Sequence, residues 1–396
     1  MATFAVVGIA IPARGQIAEP DTSKARVRLG PLLLNPTIEL TNLGIDTNVF
    51  NEPSDVAKRD FTLTLTPKSA LWLKAGRTWL TGLLHEDVIW FKEYASQRAV
   101  NNAVTADWIA PLNRLSFDIG GAWDWVKDRP GYEIDERAMR RDQDFRVAIE
   151  VRALSKSFIG VRFEQRQVDY DEAATFRGAS LRTQLNHTSR TGVVTLRHQL
   201  TPLTSISVDA GRSEERFDFS PLRDNDSTIA GVQVTFDPFA LIKGSARFGY
   251  RKLDPVIGGL AGYSGSTAQV DLSYSLYGTT RFAVQSMRDV SYSYDINSPY
   301  YLQTGIIGSL AQQIYGPIDA IARAGIQHLA YRTRDSVTLP TANSVDRFYL
   351  YGGGIGYHAG RDLRIGVNIE KQQRESALSG HGFEGVKLGT TVTYGF

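Results

Sequence analysis

Few residues in this 396-residue chain are spaced for chemistry. The six histidines are His85, His187, His198, His328, His358 and His381, and no two stand in a His-x-x-x-His metal-ligand spacing. Cysteine is absent, which excludes disulfides and thiolate ligation of zinc or iron–sulfur clusters. His85-Glu86-Asp87 has the composition of an acid–base cluster, but it reads more simply as a polar patch in mid-strand. The run from Gly354 to Ala359 fits G-x-G-x-x-A in form. That fingerprint cradles a pyrophosphate only at a strand–turn–helix junction. Here it lies inside a long glycine-rich strand that ends in a tight turn, where glycine lets strands twist or leaves room beside them. No catalytic residue, cofactor site or metal site is assigned.

The chemistry that does recur is a set of charged rows. One polar face after another carries Arg146, Glu150, Arg152, Arg162, Glu164, Arg166 and Asp209, then Arg247, Arg251, Asp271, Arg281, Arg323, Arg364 and Glu370. Arginines outnumber carboxylates in this set. Charged rings of this kind set selectivity in pores, and an arginine excess points to anionic or polyhydroxylated solutes. The same rows can instead pair across neighbouring strands and stiffen a wall. Both readings stand at this point.

These rows need elements that put alternate residues on opposite faces, and only strands do so. In "DFRVAIEVR" Phe145, Val147, Ile149 and Val151 share one face, with Arg146, Glu150 and Arg152 on the other. "LRIGVNIEK" sets Leu363, Ile365, Val367 and Ile369 against Arg364, Asn368 and Glu370. The last eight residues, "GTTVTYGF", alternate in the same way, with Thr390, Val392, Tyr394 and Phe396 continuing the row of Val386 and Leu388. No stretch sustains a helical i, i+3, i+4, i+7 pattern.

Turn chemistry punctuates the strands at 74–77, 111–114, 154–157, 201–204, 237–238, 277–280, 316–317 and 359–362. These short turns lie roughly 36 to 47 residues apart. Between them the chain is charged and irregular, as in residues 128–143, 212–227 and 331–346. A propeller repeats at a similar period, but no Gly-His or Trp-Asp signature recurs. Short turns at one end and long polar loops at the other describe an outer-membrane barrel. The chain is therefore expected to be all-β: a transmembrane, antiparallel, up-and-down barrel of about 18 strands, with short periplasmic turns and long extracellular loops. A wall of that size encloses an aqueous lumen, which inward-folded loops could constrict.

Residues 33–396 make this barrel, and residues 16–32 a short periplasmic segment. The apolar run at 4–15 is too short for a membrane helix of about 20 residues. It reads as the remnant of a signal peptide spanning 1–15, with Ala13-Arg14-Gly15 as a small-x-small cleavage site; a buried N-terminal segment is the alternative. The span from Gln16 to the first strand is too short for a globular plug, which argues against a transporter of about 22 strands. Trp72, Trp79, Trp90, Trp108, Trp123 and Trp125 fall mostly near strand ends, as an interfacial girdle does. Net charge is only +2, with no basic stripe for nucleic acid.

Near the start the chain reads "LLLNPTIELTNLGIDTNVFNEP". An Asn-Pro, a short strand and then Gly44-Ile45-Asp46-Thr47-Asn48-Val49-Phe50 resembles the opening of the bacterial family called putative β-barrel porin 2, which usually has an aromatic where Ile45 stands. The resemblance implies an outer-membrane barrel associated with exopolysaccharide production, without catalytic residues. It favours export of a polysaccharide, helped by a periplasmic polysaccharide-export protein. The alternative is a general or substrate-selective diffusion porin for small nutrients, and an enzyme at the barrel rim is a distant third. Partners expected of such a barrel are outer-membrane lipid, lipopolysaccharide and the barrel-assembly machinery, for which Tyr394 and Phe396 resemble a terminal signal.

Overall fold

The alternating rows form the wall they imply. A computed structural model of the protein describes residues 17, 19–237, 240–258, 261–334, 344–378 and 380–395. The signal-peptide reading of residues 1–15 and the terminal Phe396 lie outside the described residues. A three-residue strand, β1 (Val27–Leu29), precedes the wall. The wall begins with β2 (Leu32–Asp46), β3 (Asp60–Ala75), β4 (Thr78–Phe91), β5 (Ala99–Pro111), β6 (Leu115–Asp128), β7 (Ala138–Arg152) and β8 (Ser157–Tyr170). A loop follows that holds β9 (Thr175–Phe176), β10 (Ala179–Ser180) and the one-turn helix α1 (Leu181–Leu185). The wall resumes with β11 (His187–Thr201), β12 (Thr204–Phe217), β13 (Asn225–Phe236), β14 (Ile242–Pro255), β15 (Tyr263–Leu276) and β16 (Thr280–Tyr292). It ends with β17 (Tyr300–Tyr315), β18 (Ile318–Arg332), β19 (Val345–Ala359), β20 (Leu363–Glu375) and β21 (Phe383–Tyr394). Each strand pairs antiparallel with the next, and β21 pairs back onto β2, so eighteen strands close on themselves.

Closure leaves no sheet edge, which is the condition for strands to cross lipid. The outward row is apolar and exposed: Phe145, Ile149 and Val151 on β7, Ile159, Val161 and Phe163 on β8, Ile365, Val367 and Ile369 on β20. The inward row holds the charged set. The turn signals fall at the short-turn end of the wall, with Pro238 of the one at 237–238 outside the described residues, and the long connections gather at the other.

The strands run further than their apolar rows. Residues 138–143 belong to β7, Arg212–Phe217 to β12 and Asn225–Ser227 to β13, although the charged sequence there reads as loop. Above the membrane both faces of the wall meet water, so alternation vanishes while the hydrogen-bonded ladder continues. Two of the six tryptophans also depart from the girdle. Trp72 pairs with Thr81, and Thr81 donates to the inward Asp107; Trp79 pairs with Ile109 and lies under Lys74. Both therefore face the lumen near the turn end, whereas Trp123 and Trp125 point outward.

The seam between β2 and β21 uses the residues of the Gly44–Phe50 stretch. The register shifts at Thr41–Gly44, where Asn42 takes a φ of 52°. Gly44 then sits opposite Gly389, so close that a Cβ on Gly44 would lie 2.0 Å from the Leu388 carbonyl oxygen. Beyond it Thr47 N–H donates to the Val386 carbonyl (3.0 Å), and Val386 N–H donates back to Thr47 Oγ1 (2.8 Å). Buried Asn48 donates from Nδ2 to the carbonyls of Glu384 (2.9 Å) and Glu52 (2.7 Å).

Gly44→Val should prevent proper closure. Overpacking costs about 1–3 kcal/mol, and more where the clash is with backbone. The expected outcome is loss of the compact, heat-modifiable band on a semi-native SDS gel. Gly308→Val, where nothing lies within 4 Å of an added Cβ, should keep it.

Candidate functional site

The inward rows and the loops that fold over them define the candidate site, which is the path through the barrel. All fourteen sequence-assigned charges stand on the inward parity of their strands. Several arginines reach past the neighbouring strand to an acid two strands away. Arg247 on β14 grips Asp209 on β12 through Nε (3.1 Å) and Nη2 (2.6 Å). Arg364 on β20 holds Asp319 on β18 through Nε (2.7 Å) and Nη2 (2.6 Å), and His358 Nε2 adds a contact to the same carboxylate at 2.6 Å. Arg197 on β11 holds Glu150 on β7 (2.8 and 2.5 Å) and stacks 3.9 Å from the Phe158 ring centroid. Arg146 on β7 reaches Asp107 on β5 at 2.7 Å and Asp118 at 3.3 Å.

The strand in between makes room with glycine. A Cβ at Gly120 would meet Asp107 Oδ1 at 1.9 Å, at Gly231 the Arg247 guanidinium at 2.7 Å, and at Gly356 that of Arg364 at 2.3 Å. Sequence parity does not disclose Asp107, Asp118, Arg197, Asp289 and Asp319 as partners, because it says nothing about which strand a long arginine side chain reaches. Small residues on the inward row were the available signal. The arginine excess read from sequence is largely offset by these acids.

The remaining assigned residues are also placed. Arg162 lies 3.2 Å from Glu164, and Arg166 lies 3.4 Å from Asp142. Arg251 reaches Asp289 at 3.1 Å. Asp271 accepts from Gln285 and Glu370 from Gln372. Arg152 lies over Phe158, and Arg281 lines a cavity of about 270 Å³ with Asp319 and His358. Arg323 stands on the inward row between Ser309 and Gly352. The His85-Glu86-Asp87 cluster does not converge: His85 Nε2 and Thr66 Oγ1 contact Asp87, while Glu86 has the opposite parity.

At the loop end the lumen is crossed. Residues 129–137, between β6 and β7, fold inward and reach β17–β20. β18 lies nine strands round the wall from β7, diametrically opposite. Tyr132 packs on Phe348 with ring centroids 5.0 Å apart and joins the cluster of Tyr301, Leu329 and Tyr331. Ile134 is buried with Val168, Phe176, Leu181 and Leu185. Such burial contributes about 1.5–3 kcal/mol for each large side chain.

Two buried arginines fasten this strap and its neighbours. Arg374 donates from Nη1 to the Glu133 carbonyl (2.9 Å) and to Asp135 (2.8 Å), and from Nη2 to Asp346 (2.5 Å). Asp346 is fully buried, so truncating Arg374 would strand its charge at a cost of about 3–5 kcal/mol. Arg223 donates to the carbonyls of Ser293, Pro299 and Asp295 and to Gln184, tying three loops together.

Glu133, 1% exposed, accepts from Ser293 Oγ (2.5 Å) and Tyr294 N–H (3.3 Å). Burial pushes its carboxyl up to about 7, against the pull of Ser293 and Arg374. His381 is pushed down to about 4 by burial and by Arg177 and Arg374. The signs oppose. A raised carboxyl favours docking below the usual carboxylate range and loses that contribution as pH rises toward 7. A depressed imidazole favours docking above the usual histidine range and loses its share as pH falls toward 4. The two contributions largely offset each other between pH 4.5 and 6.5, so a nitroxide at Glu136→Cys, an exposed strap position, should gain mobility as pH rises to about 7 and again as it falls to about 4. Adding Glu133→Gln should remove the rise on the alkaline side and leave the acid one.

Among the described residues no group of three or more His, Asp or Glu side chains is arranged to hold a metal ion. A family model described as putative beta-barrel porin 2 matches residues 127–396. No curated protein matches the chain. Its structure is similar to the outer membrane protein opdK from Pseudomonas aeruginosa, at 10% identity and TM-score 0.47, covering 93% of this chain and 99% of that one. A BenF-like porin from Pseudomonas fluorescens Pf-5 gives 10% identity and TM-score 0.48 over 92% and 98% of the two chains. OccAB4 from Acinetobacter baumannii gives 10% and 0.48 over 91% and 97%.

Proposed function

From the premise that this chain belongs to the putative β-barrel porin 2 family, a channel barrel of the bacterial outer membrane, we propose that it is a selective diffusion porin for small hydrophilic solutes. One observation carries this reading: the strap at 129–137 spans the lumen from β7 to the opposite wall and is fastened there by Arg374. A conduit for a long polymer would need that cross-section clear. The strap instead sets a size limit at the loop end, while the turn-side lumen stays lined with polar groups.

The paired arginines bear on sign preference. A guanidinium held in two charge-assisted bonds has little left to offer a passing anion. With acids matched to arginines along the wall, the field in the lumen is mixed rather than basic. The favoured cargo is therefore a small neutral or zwitterionic solute, such as a monosaccharide or an amino acid. Polysaccharide export, which the family resemblance implies, is the weaker reading because of the strap. Catalysis is not proposed for any group in the lumen.

Liposome swelling tests the proposal. Vesicles holding the purified protein should swell quickly in monosaccharides and amino acids and barely at all in long oligosaccharides. Equal rates for long oligosaccharides would favour the export reading, and no swelling in any solute would remove the porin reading altogether.

A further inference from the structure

The four most exposed large apolar side chains among the described residues are Tyr277 (92%), Tyr315 (81%), Leu241 (72%) and Leu154 (70%). All four stand in or beside the short turns. Leu112 and Leu203 occupy two further short turns and are exposed as well. Turn geometry does not ask for such residues; it favours Gly, Asn, Asp and Ser. Tyr277 even takes a φ of 51°, where a bulky side chain is strained. Almost wholly exposed, that side chain gains little from the protein itself.

Three features identify what covers these tips. First, apolar residues of the lipid-facing row stand close to the tips, with His198, Thr204 and Thr280 as the polar members among them. Val151 precedes Leu154, Leu200 and Ile206 flank Leu203, Ile242 follows Leu241, Phe282 follows Tyr277, and each of these outward neighbours except Ile206 is among the exposed apolar residues. Second, the apolar row is short on some strands. On β7 it spans Phe145 to Val151, about 15 Å of height at a rise of ~3.3 Å per residue and a tilt of ~40°, against the usual band of ~25 Å. Turn tips that also sit in lipid make up part of the difference. Third, the charges in the turns themselves are mainly basic: Arg77, Arg114, Lys156 and Arg361, with Asp237 and Asp362 the acids. Asp362 is already engaged by Arg26 at 2.9 Å.

We propose that the short turns form an amphipathic ring inserted into the phospholipid leaflet on the periplasmic side. The apolar tips enter the boundary between headgroups and acyl chains, and the basic side chains reach up to lipid phosphates. The ring fixes how deep the barrel sits and keeps its turn-side mouth level with the leaflet surface.

The absence of native cysteine makes the test clean. Leu154→Cys, Leu241→Cys and Tyr277→Cys each carry one nitroxide in the full-length barrel, reconstituted in phosphatidylcholine–phosphatidylglycerol vesicles. Val56→Cys, in the loop between β2 and β3, is the water-exposed control. An intact closed barrel is checked by heat-modifiable gel mobility. The turn labels should collide severalfold more with oxygen than with a water-soluble nickel chelate, and the control should show the reverse. Turn labels as open to nickel as the control would overturn the proposal. Labels open to nickel in vesicles yet shielded in isolated outer membranes would assign the ring to a periplasmic protein, and would overturn it equally.

Discussion

Backbone pairing in lipid is the constraint on which the rest of the structure depends. No water is available in the bilayer to satisfy an open strand edge, so the first and last strands must meet. Here they meet over Gly44 and Gly389, with Thr47 and Asn48 securing the loop end of the same seam. Once the ring is closed, outward side chains need only be apolar, and the inward face is free to carry charge. The charged rows are thus permitted by closure, and they also reinforce it. An arginine that reaches over a glycine to an acid two strands away ties three strands at one level of the wall.

Closure also creates the problem that the loops solve. A wall of eighteen strands leaves a lumen too wide for its own side chains to fill. The strap at 129–137 spends a small protein-like core on crossing it, with Tyr132 and Ile134 as the apolar contacts and Arg374 as the polar one. The result is a barrel with two unlike halves: a wet, charge-paired lumen near the turns and a packed constriction near the loops. Glu133 and His381 give that constriction opposite responses to acid and base.

Much of the wall was legible in the sequence because lipid wets one face of each strand and water the other. Phe145, Val147, Ile149 and Val151 against Arg146, Glu150 and Arg152 needed no further information. Where both faces are wet, as at Arg140–Gln143 and Arg212–Phe217, the signal fades and the strand is read as loop. The inward charges were legible singly, but their partners were not, since parity says nothing about which strand an arginine reaches. The strap was hidden for another reason. Glu133 and Arg374 are 241 residues apart, and only closure of the ring brings them together. The apolar Tyr132 and Ile134 inside an otherwise charged loop were its only local trace.

The strap is the central claim, and single-channel recording tests it most directly. Residues 131–135 would be replaced by a Gly-Ser linker of equal length in an otherwise native barrel. If the strap narrows the lumen, unit conductance and the size of polymer admitted should both rise severalfold, with the closed barrel intact on a gel. Conductance and cut-off unchanged from the native protein would contradict a lumen limited at this point.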